Sequence, residues 1–261
     1  MKLKYCKDGD KYLVENENSE ILGEGFIREF EASRLYNKKR INYYIHSESE
    51  RDEVKFFLVD SFIRMAKIKR LDYPDHDAII YNCCFSHDIK SIEFYEKIDG
   101  FEHDEGMWVL RKFLDQKVSL SSDYKMIHDN LQCDDDIEDF IEKHSKIFVS
   151  LPYSLEKIRK LQNKNQLKSF GVYDGDLLLG NVMILKEDNQ WWVEDLFVSS
   201  DHRKKHLASM LMNVSHNYLI DQGVSQVQLE VWSSNERAMK LYRSLGYEFL
   251  NETESSIGMF I

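Results

Sequence analysis

One pattern occurs twice in this chain of 261 residues. The first copy is AIIYNCCFSHDIKSIEFYEKIDGF, Ala78 to Phe101; the second is VQLEVWSSNERAMKLYRSLGY, Val227 to Tyr247. Each reads as a buried strand, a polar turn, a helix carrying a Tyr and a Gly-aromatic stop. The spacing from Asp88 to Tyr95 is repeated from Asn235 to Tyr242. The match reaches further. Ile21-Leu22-Gly23-Glu24-Gly25-Phe26 parallels Leu178-Leu179-Gly180-Asn181-Val182-Met183, and Gly106-Met107-Trp108-Val109 parallels Gly258-Met259-Phe260-Ile261. A repeat covering most of each half implies two copies of one domain. Strands interleaved with helices make the class α/β, with a mixed sheet.

The expected domains are residues 1–116 and 124–261, joined by the polar, Ser-rich stretch Asp115–Asp123. In the first, Tyr12–Val14 and Ile21–Phe30 read as strands joined by Glu15–Glu20. In the second, Asp135–Val149 reads as a helix with Ile137, Phe140, Ile141 and Ile147 on one face and acidic residues in its first turn. Ser154 is the expected N-cap of a helix running to Asn163. Asp174-Gly175-Asp176 predicts a hairpin between Lys168–Tyr173 and Leu177–Leu185. Next come a strand Trp191–Val198, a helix Lys204–Gln222 stopped by Gly223, a strand Val227–Trp232 and a helix Asn235–Ser244. Two short strands close the chain, Tyr247–Asn251 and Ser256–Ile261.

Net charge is −11, and both halves are acidic. That disfavours nucleic acid, which needs a basic face, and mildly favours cationic substrates such as amines. No apolar run is long enough to span a bilayer, and the N-terminus has no signal-peptide core, so a cytoplasmic location without membrane contact is expected. Cys6, Cys83, Cys84 and Cys133 form no C-x-x-C pair and read as reduced thiols. The nine histidines show no shared ligand spacing, so no metal is expected.

The loop Ser199–Ser209, SSDHRKKHLAS, joins a buried strand to an amphipathic helix. A helix start offers unpaired N–H groups and a positive dipole end, a place for an anion. Arg203, Lys204 and Lys205 add positive charge. By itself this is equally a solvated basic turn.

The strand VEDLFV, the loop HRKKHLAS and the later LEVWSSNERAMKLYRSLGY together resemble the GNAT superfamily of acyl-CoA-dependent N-acetyltransferases. The family's Arg/Gln-x-x-Gly-x-Gly/Ala loop appears as Arg203-Lys204-Lys205-His206-Leu207-Ala208. Its Asn-x-x-Ala-x-x-x-Tyr-x-x-x-Gly-Phe/Tyr pattern appears as Asn235, Ala238, Tyr242, Gly246 and Tyr247. The resemblance implies acetyl-CoA as co-substrate, with its pyrophosphate on residues 203–208. It also implies a thioester carbonyl polarised by the backbone N–H of Phe197 or Val198, a contact from Asn235 to the cofactor arm, and Tyr242 as general acid. One departure is His206, where the family has Gly. If this position is the first turn of the helix, His is sterically acceptable.

An amine attacks a thioester only as the neutral species, so a base is needed. Two candidates stand. Glu230 precedes Tyr242 in an arrangement that resembles the bacterial N-terminal alanine acetyltransferases of ribosomal proteins, and is slightly preferred. Glu194 lies on the strand that leads into the loop, a position many family members use. Asp195 faces the other way. Trp191, Trp192 and Trp232 either pack in the core or wall a pocket. Acceptor contacts are expected from residues 135–165 and the first domain.

The first copy has His46–Phe57, HSESERDEVKFF, where the phosphate loop should be. It holds no glycine and carries Glu48, Glu50, Asp52 and Glu53, which would repel a pyrophosphate. The expectation is two tandem GNAT-like domains, the N-terminal one degenerate, in a monomer or homodimer. The expected activity is transfer of an acetyl group to a primary amine, on a small molecule or peptide N-terminus, by direct attack in a ternary complex. The alternative is a non-catalytic acyl-CoA-binding or interaction module.

Overall fold

The computed structural model describes residues 1–6, 9–32, 39–120, 125–128, 130–147 and 153–261. The end of the expected linker, 121–123, and of the expected helix, 148–149, lie outside the described residues. The strands are β1 (Lys2–Cys6), β2 (Lys11–Glu15), β3 (Ile21–Glu31), β4 (Arg40–Glu48), β5 (Asp77–Phe85), β6 (Glu102–Phe113), β7 (Lys125–His128), β8 (Leu167–Asp174), β9 (Leu177–Glu187), β10 (Gln190–Val198), β11 (Gln226–Trp232) and β12 (Glu248–Phe260). The α-helices are α1 (Asp52–Lys69), α2 (Ile89–Glu96), α3 (Asp134–Ile147), α4 (Leu155–Asn163), α5 (Leu207–Asp221) and α6 (Glu236–Ser244). Among the described residues no helix is long and apolar enough to cross a membrane.

Contacts divide the chain into two compact units that do not follow its two sequential halves. The first unit comprises Met1–Trp108, Trp232–Glu236 and Glu252–Ile261; the second comprises Val109–Val231 and Arg237–Asn251. The reason lies in the two closing strands. In place of two short strands, the C-terminus forms one strand of 13 residues. Its distal part pairs antiparallel with β5 of the first copy, from Glu254↔Phe85 to Phe260↔Ile79. Gly258 makes this approach possible, because a Cβ there would lie 2.4 Å from the Ile80 carbonyl oxygen. The converse holds for β6, whose residues from Val109 onward belong to the second unit. There Leu114 N–H donates to the Ser225 carbonyl oxygen at 2.8 Å. Each copy thus lends part of its last strand to the other unit.

In the first unit, neighbouring strands run β1-β2-β3-β4-β5-β12-β6. β4 and β5 are parallel, and α1 is the helix in their crossover, as parallel neighbours require. Val54, Leu58, Val59, Phe62 and Ala66 of α1 pack with Tyr43, Ile45 and Ile80 of the sheet.

In the second unit, antiparallel pairing joins β7 to β8, β8 to β9 and β9 to β10, while β10 and β11 are parallel. The β8–β9 hairpin turns at Gly175 with φ +57°, as its Asp-Gly signal predicts. Ile137 and Phe140 of α3 and Ile158 of α4 are fully buried with Leu167, Met183, Leu185 and Phe197. Ser154 caps α4 by accepting from the Lys157 N–H at 3.1 Å. At the start of α3, Asp136 accepts from the Cys133 and Gln132 N–H groups. These bonds hold its carboxyl below the usual range, the one from Cys133 most strongly. Both helices are therefore pinned at their N-termini, and both pack on the face of β10 that carries Phe197.

Candidate active site

The two parallel strands β10 and β11 touch only briefly. Their register holds at Trp192↔Gln228 and Val193↔Leu229, although β10 continues to Val198 and β11 to Trp232. Beyond Val193 the strands part, and the edge of β10 that faces β11 loses its ladder partner. The same point carries a β-bulge: β10 pairs with β9 at Val193↔Ile184 and then at Asp195↔Met183, so Glu194 is the extra residue. A bulge re-aims side chains and bends a strand. The sequence predicts the strand but not the bulge, because one inserted residue leaves the apolar alternation on either side intact.

The bulge collects four polar side chains. Tyr153, just ahead of α4, donates its hydroxyl to Glu194 Oε1 at 2.7 Å. His144 of α3, 1% exposed, places Nε2 3.1 Å from Asp195 Oδ1. The two rings meet edge-on, with centroids 5.5 Å apart. Glu194 is exposed by area, yet it lies in a recess where lost solvation raises its carboxyl above the ordinary value. Asp195 adds to that rise, while Tyr153 and Lys157 oppose it. Tyr242 of α6 is pushed up to about 12, first by desolvation and then by the Asp195 charge. The same two causes raise Tyr153. Both phenols therefore feel the Asp195 charge. Asp195 points away from the face of Glu194, as expected, and it meets His144.

His144 and Tyr153 were not among the candidates. For His144 a signal existed: it continues the stripe Ile137, Phe140, Ile141, which puts a titratable ring on an apolar helix face. Tyr153 carried none, since its partner is 41 residues away.

The phosphate-loop candidates form a real turn rather than a helical start. After β10 a short 3₁₀ segment covers Ser200–His202, and α5 begins only at Leu207. Lys204 (φ +62°) and His206 (φ +60°) are both left-handed, and His206 is the N-cap without a side-chain cap bond. The expected start at Lys204 is thus corrected. Two left-handed residues break the helical path, and His206 occupies a conformation that favours Gly. Arg203 Nε donates to the Val198 carbonyl oxygen at 3.3 Å. The first α5 bond in the turn runs from Met210 N–H to the His206 carbonyl, which leaves Leu207 and Ala208 among the N–H groups that a helix start turns outward. Arg237, also not foreseen, sits where desolvation and then the Arg203 charge depress its proton affinity. Two guanidiniums close enough to repel suit an anion.

Other candidates lie elsewhere. Glu230 follows Leu229, the last β11 residue paired with β10, and is exposed. Asn235 and Trp232 belong to the first unit. Trp191 is a core residue, 7% exposed.

The counterpart site in the first unit is built differently. Pairing of β4 with β5 ends at Tyr44↔Tyr81, but the gap beyond is bridged by Asn82 Nδ2, donating to the Ile45 carbonyl oxygen at 2.6 Å. Tyr95, the match of Tyr242, lies 3.1 Å from the Ser47 hydroxyl. The β3–β4 register is unbroken from Glu24↔Glu48 to Glu31↔Ile41, so no bulge forms. The groove beside the start of α1, about 430 Å³, is lined by Glu24, Glu48 and Glu50. Side chains and negative charge occupy the places where the second unit offers a cleft and cations.

Such a splayed pair of strands followed by a cationic turn and a helix start can seat an extended ligand with an anionic arm. Residues 133–247 match the model of the Acetyltransferase (GNAT) family, whose members generally use acetyl-CoA. Among curated relatives, thialysine N-epsilon-acetyltransferase of Bos taurus is 35% identical over 63 residues, 24% of this chain and 37% of the relative. Its Sus scrofa counterpart is 32% identical over the same lengths. The chain thus spans less than two fifths of those relatives. A GCN5-related N-acetyltransferase from Sphaerobacter thermophilus shares the fold over 96% of this chain and 80% of its own, with a TM-score of 0.53 at 14% identity. A tandem GNAT protein from the clavulanic acid biosynthesis pathway overlaps 96% of this chain and 82% of its own at 11% identity, with a TM-score of 0.49.

Proposed function

We propose that the protein is an acetyl-CoA-dependent N-acetyltransferase acting on a primary amine by direct attack in a ternary complex. The observation that carries this reading is the parting of β10 and β11 at the Glu194 bulge, with Tyr242 near enough to feel the Asp195 charge. The opened edge of β10, at Phe197 or Val198, can donate an N–H to a thioester carbonyl and so to the oxyanion that forms there. The turn Arg203–Ala208, with Arg237 nearby, offers N–H donors and cations fitted to a pyrophosphate.

Acetyl-CoA supplies an activated thioester. The chain's residues do the rest. Glu194 takes the proton from the acceptor amine, either directly or through water. Its raised carboxyl binds a proton more readily than an ordinary glutamate does. Glu230 is the second candidate for the base, on its resemblance to N-terminal alanine acetyltransferases and its place beside the end of the β10–β11 pairing. Tyr242, kept protonated by its surroundings, gives its proton to the departing thiolate. The tandem reading, with domains at 1–116 and 124–261 and a first copy that no longer binds CoA, belongs to this proposal. It draws support from the Asn82 bridge and the Glu-lined groove.

The test is release of free thiol from acetyl-CoA across a panel of primary amines that includes thialysine and short peptides. Turnover with any of them supports the proposal. Calorimetric CoA binding with no turnover on the whole panel overturns it in favour of a non-catalytic acyl-CoA-binding module.

A further inference from the structure

Two adjacent carboxylates on one bulge pose an electrostatic problem. Glu194 and Asp195 are neighbours in sequence, and the charge of Asp195 disfavours that of Glu194. A base that is to accept a proton must be ionised before the amine arrives. It must also hold one rotamer, and Glu has three side-chain torsions to fix.

The second unit addresses both demands from the same side. His144 of α3 closes on Asp195. Tyr153 closes on Glu194, donating a hydrogen bond to Oε1 and leaving Oε2 of this exposed side chain to meet the acceptor. Tyr153 is itself held firmly. It precedes the Ser154 cap of α4, its ring meets His144, and the Lys157 ammonium lies 4.8 Å from its ring centroid. Around Glu194 stand Tyr153 and Lys157 from the α4 side, Glu187 from the end of β9 and Asp195 from β10. His144 of α3 meets Asp195, and Tyr242 of α6 feels the Asp195 charge.

We propose that Tyr153 is a positioning residue for the base: its hydroxyl fixes Glu194 in one rotamer and keeps the carboxylate ionised beside Asp195. This rests on the reading of Glu194 as the base. The hydrogen bond favours the charged form, so its loss raises the proton affinity of Glu194 and moves the acidic limb of the pH–rate profile to higher pH. The shift expected for Tyr153→Phe is about one pH unit, since water partly replaces the phenol.

The experiment titrates carboxyl-labelled Glu in the full chain by carbon NMR, with the Glu194 signal assigned through Glu194→Gln. In Tyr153→Phe the ring stays against His144, and an unchanged amide spectrum verifies the fold. The expected result is a Glu194 midpoint higher by about one unit. The kinetic counterpart, with the fastest amine of the panel, is an equal upward displacement of the acidic limb of kcat/KM and a fall in kcat larger than any rise in KM. An unmoved Glu194 midpoint overturns the proposal, as does a moved midpoint with an unmoved kinetic limb. Unchanged turnover in Glu194→Gln fails differently: it removes Glu194 as the base while the titration result stands.

Discussion

Replacing His206 with Gly should stabilise the protein, against the usual direction of a Gly substitution. His206 sits at φ +60° and ψ +10°, in the left-handed region, and caps α5 without a side-chain hydrogen bond. Its side chain is exposed, so little packing is lost with it. A left-handed conformation costs an L-residue about 1–2 kcal/mol. Gly removes that strain but adds back about 0.5–1 kcal/mol of unfolded-chain entropy. The balance centres on a gain of about 0.75 kcal/mol, within a span of about 0–1.5 kcal/mol, and the central value raises Tm by roughly 2–3 °C for a chain of this size. His206→Ala is the control: it removes the ring and keeps the strain, so it should not share the gain. Paired thermal melts without cofactor decide the matter, and calorimetry with CoA should show binding in the Gly variant at least as tight as in the parent. A Tm for His206→Gly equal to or below that of the parent, or an equal rise in His206→Ala, would refute the reasoning.

Tyr242→Phe should lower kcat by at least tenfold at neutral pH while CoA affinity stays within a few fold, because the lost proton acts on the leaving thiolate and not on the bound cofactor; unchanged kcat in the thiol-release assay would remove Tyr242 as the acid. Glu194→Gln should reduce kcat by about 10²–10³ and Glu230→Gln by less than tenfold; the reverse order assigns the base to Glu230. Acid should weaken the fold through His216. Burial drives this ring down to about 3, and it lies 2.8 Å from the Tyr247 hydroxyl. The unfolded chain therefore protonates first, near its ordinary value of about 6.5. The stability it contributes is complete above that value and is lost as pH falls toward 3, about 2–3 kcal/mol by pH 4.5. Urea midpoints should fall over this window in the parent and fall less steeply in His216→Gln; parallel curves would exclude His216 as the cause.

Much of the fold was legible because its signals are local. The Ser154 cap, the Asp174-Gly175 hairpin and the apolar stripe of α3 each act within a few residues, and each stands where its pattern put it. The cleft was legible only by halves. Arg203–Ala208 and Tyr242 declare themselves by residue type. The Glu194 bulge does not, because alternation survives a single inserted residue. Nor does the left-handed start of α5, since His206 is among the less expected occupants of a position that favours Gly.

By itself, the sequence determined that two similar sets of strands and helices form, and that only the second carries a cationic turn beside a Tyr-bearing helix. These follow from periodicity, capping and charge, which act over short stretches of chain. Tertiary structure alone decided where the last strand of each copy goes. Gly106 and Gly258 sit in near-identical patterns, so either strand suits either sheet by local preference. Pairing of β12 with β5 is fixed by long-range contacts, among them the close passage of Gly258 over Ile80. Tertiary structure likewise brought Tyr153 to Glu194 and His144 to Asp195. Hydrogen bonds and ion pairs depend on distance in space, and no spacing along the chain encodes it.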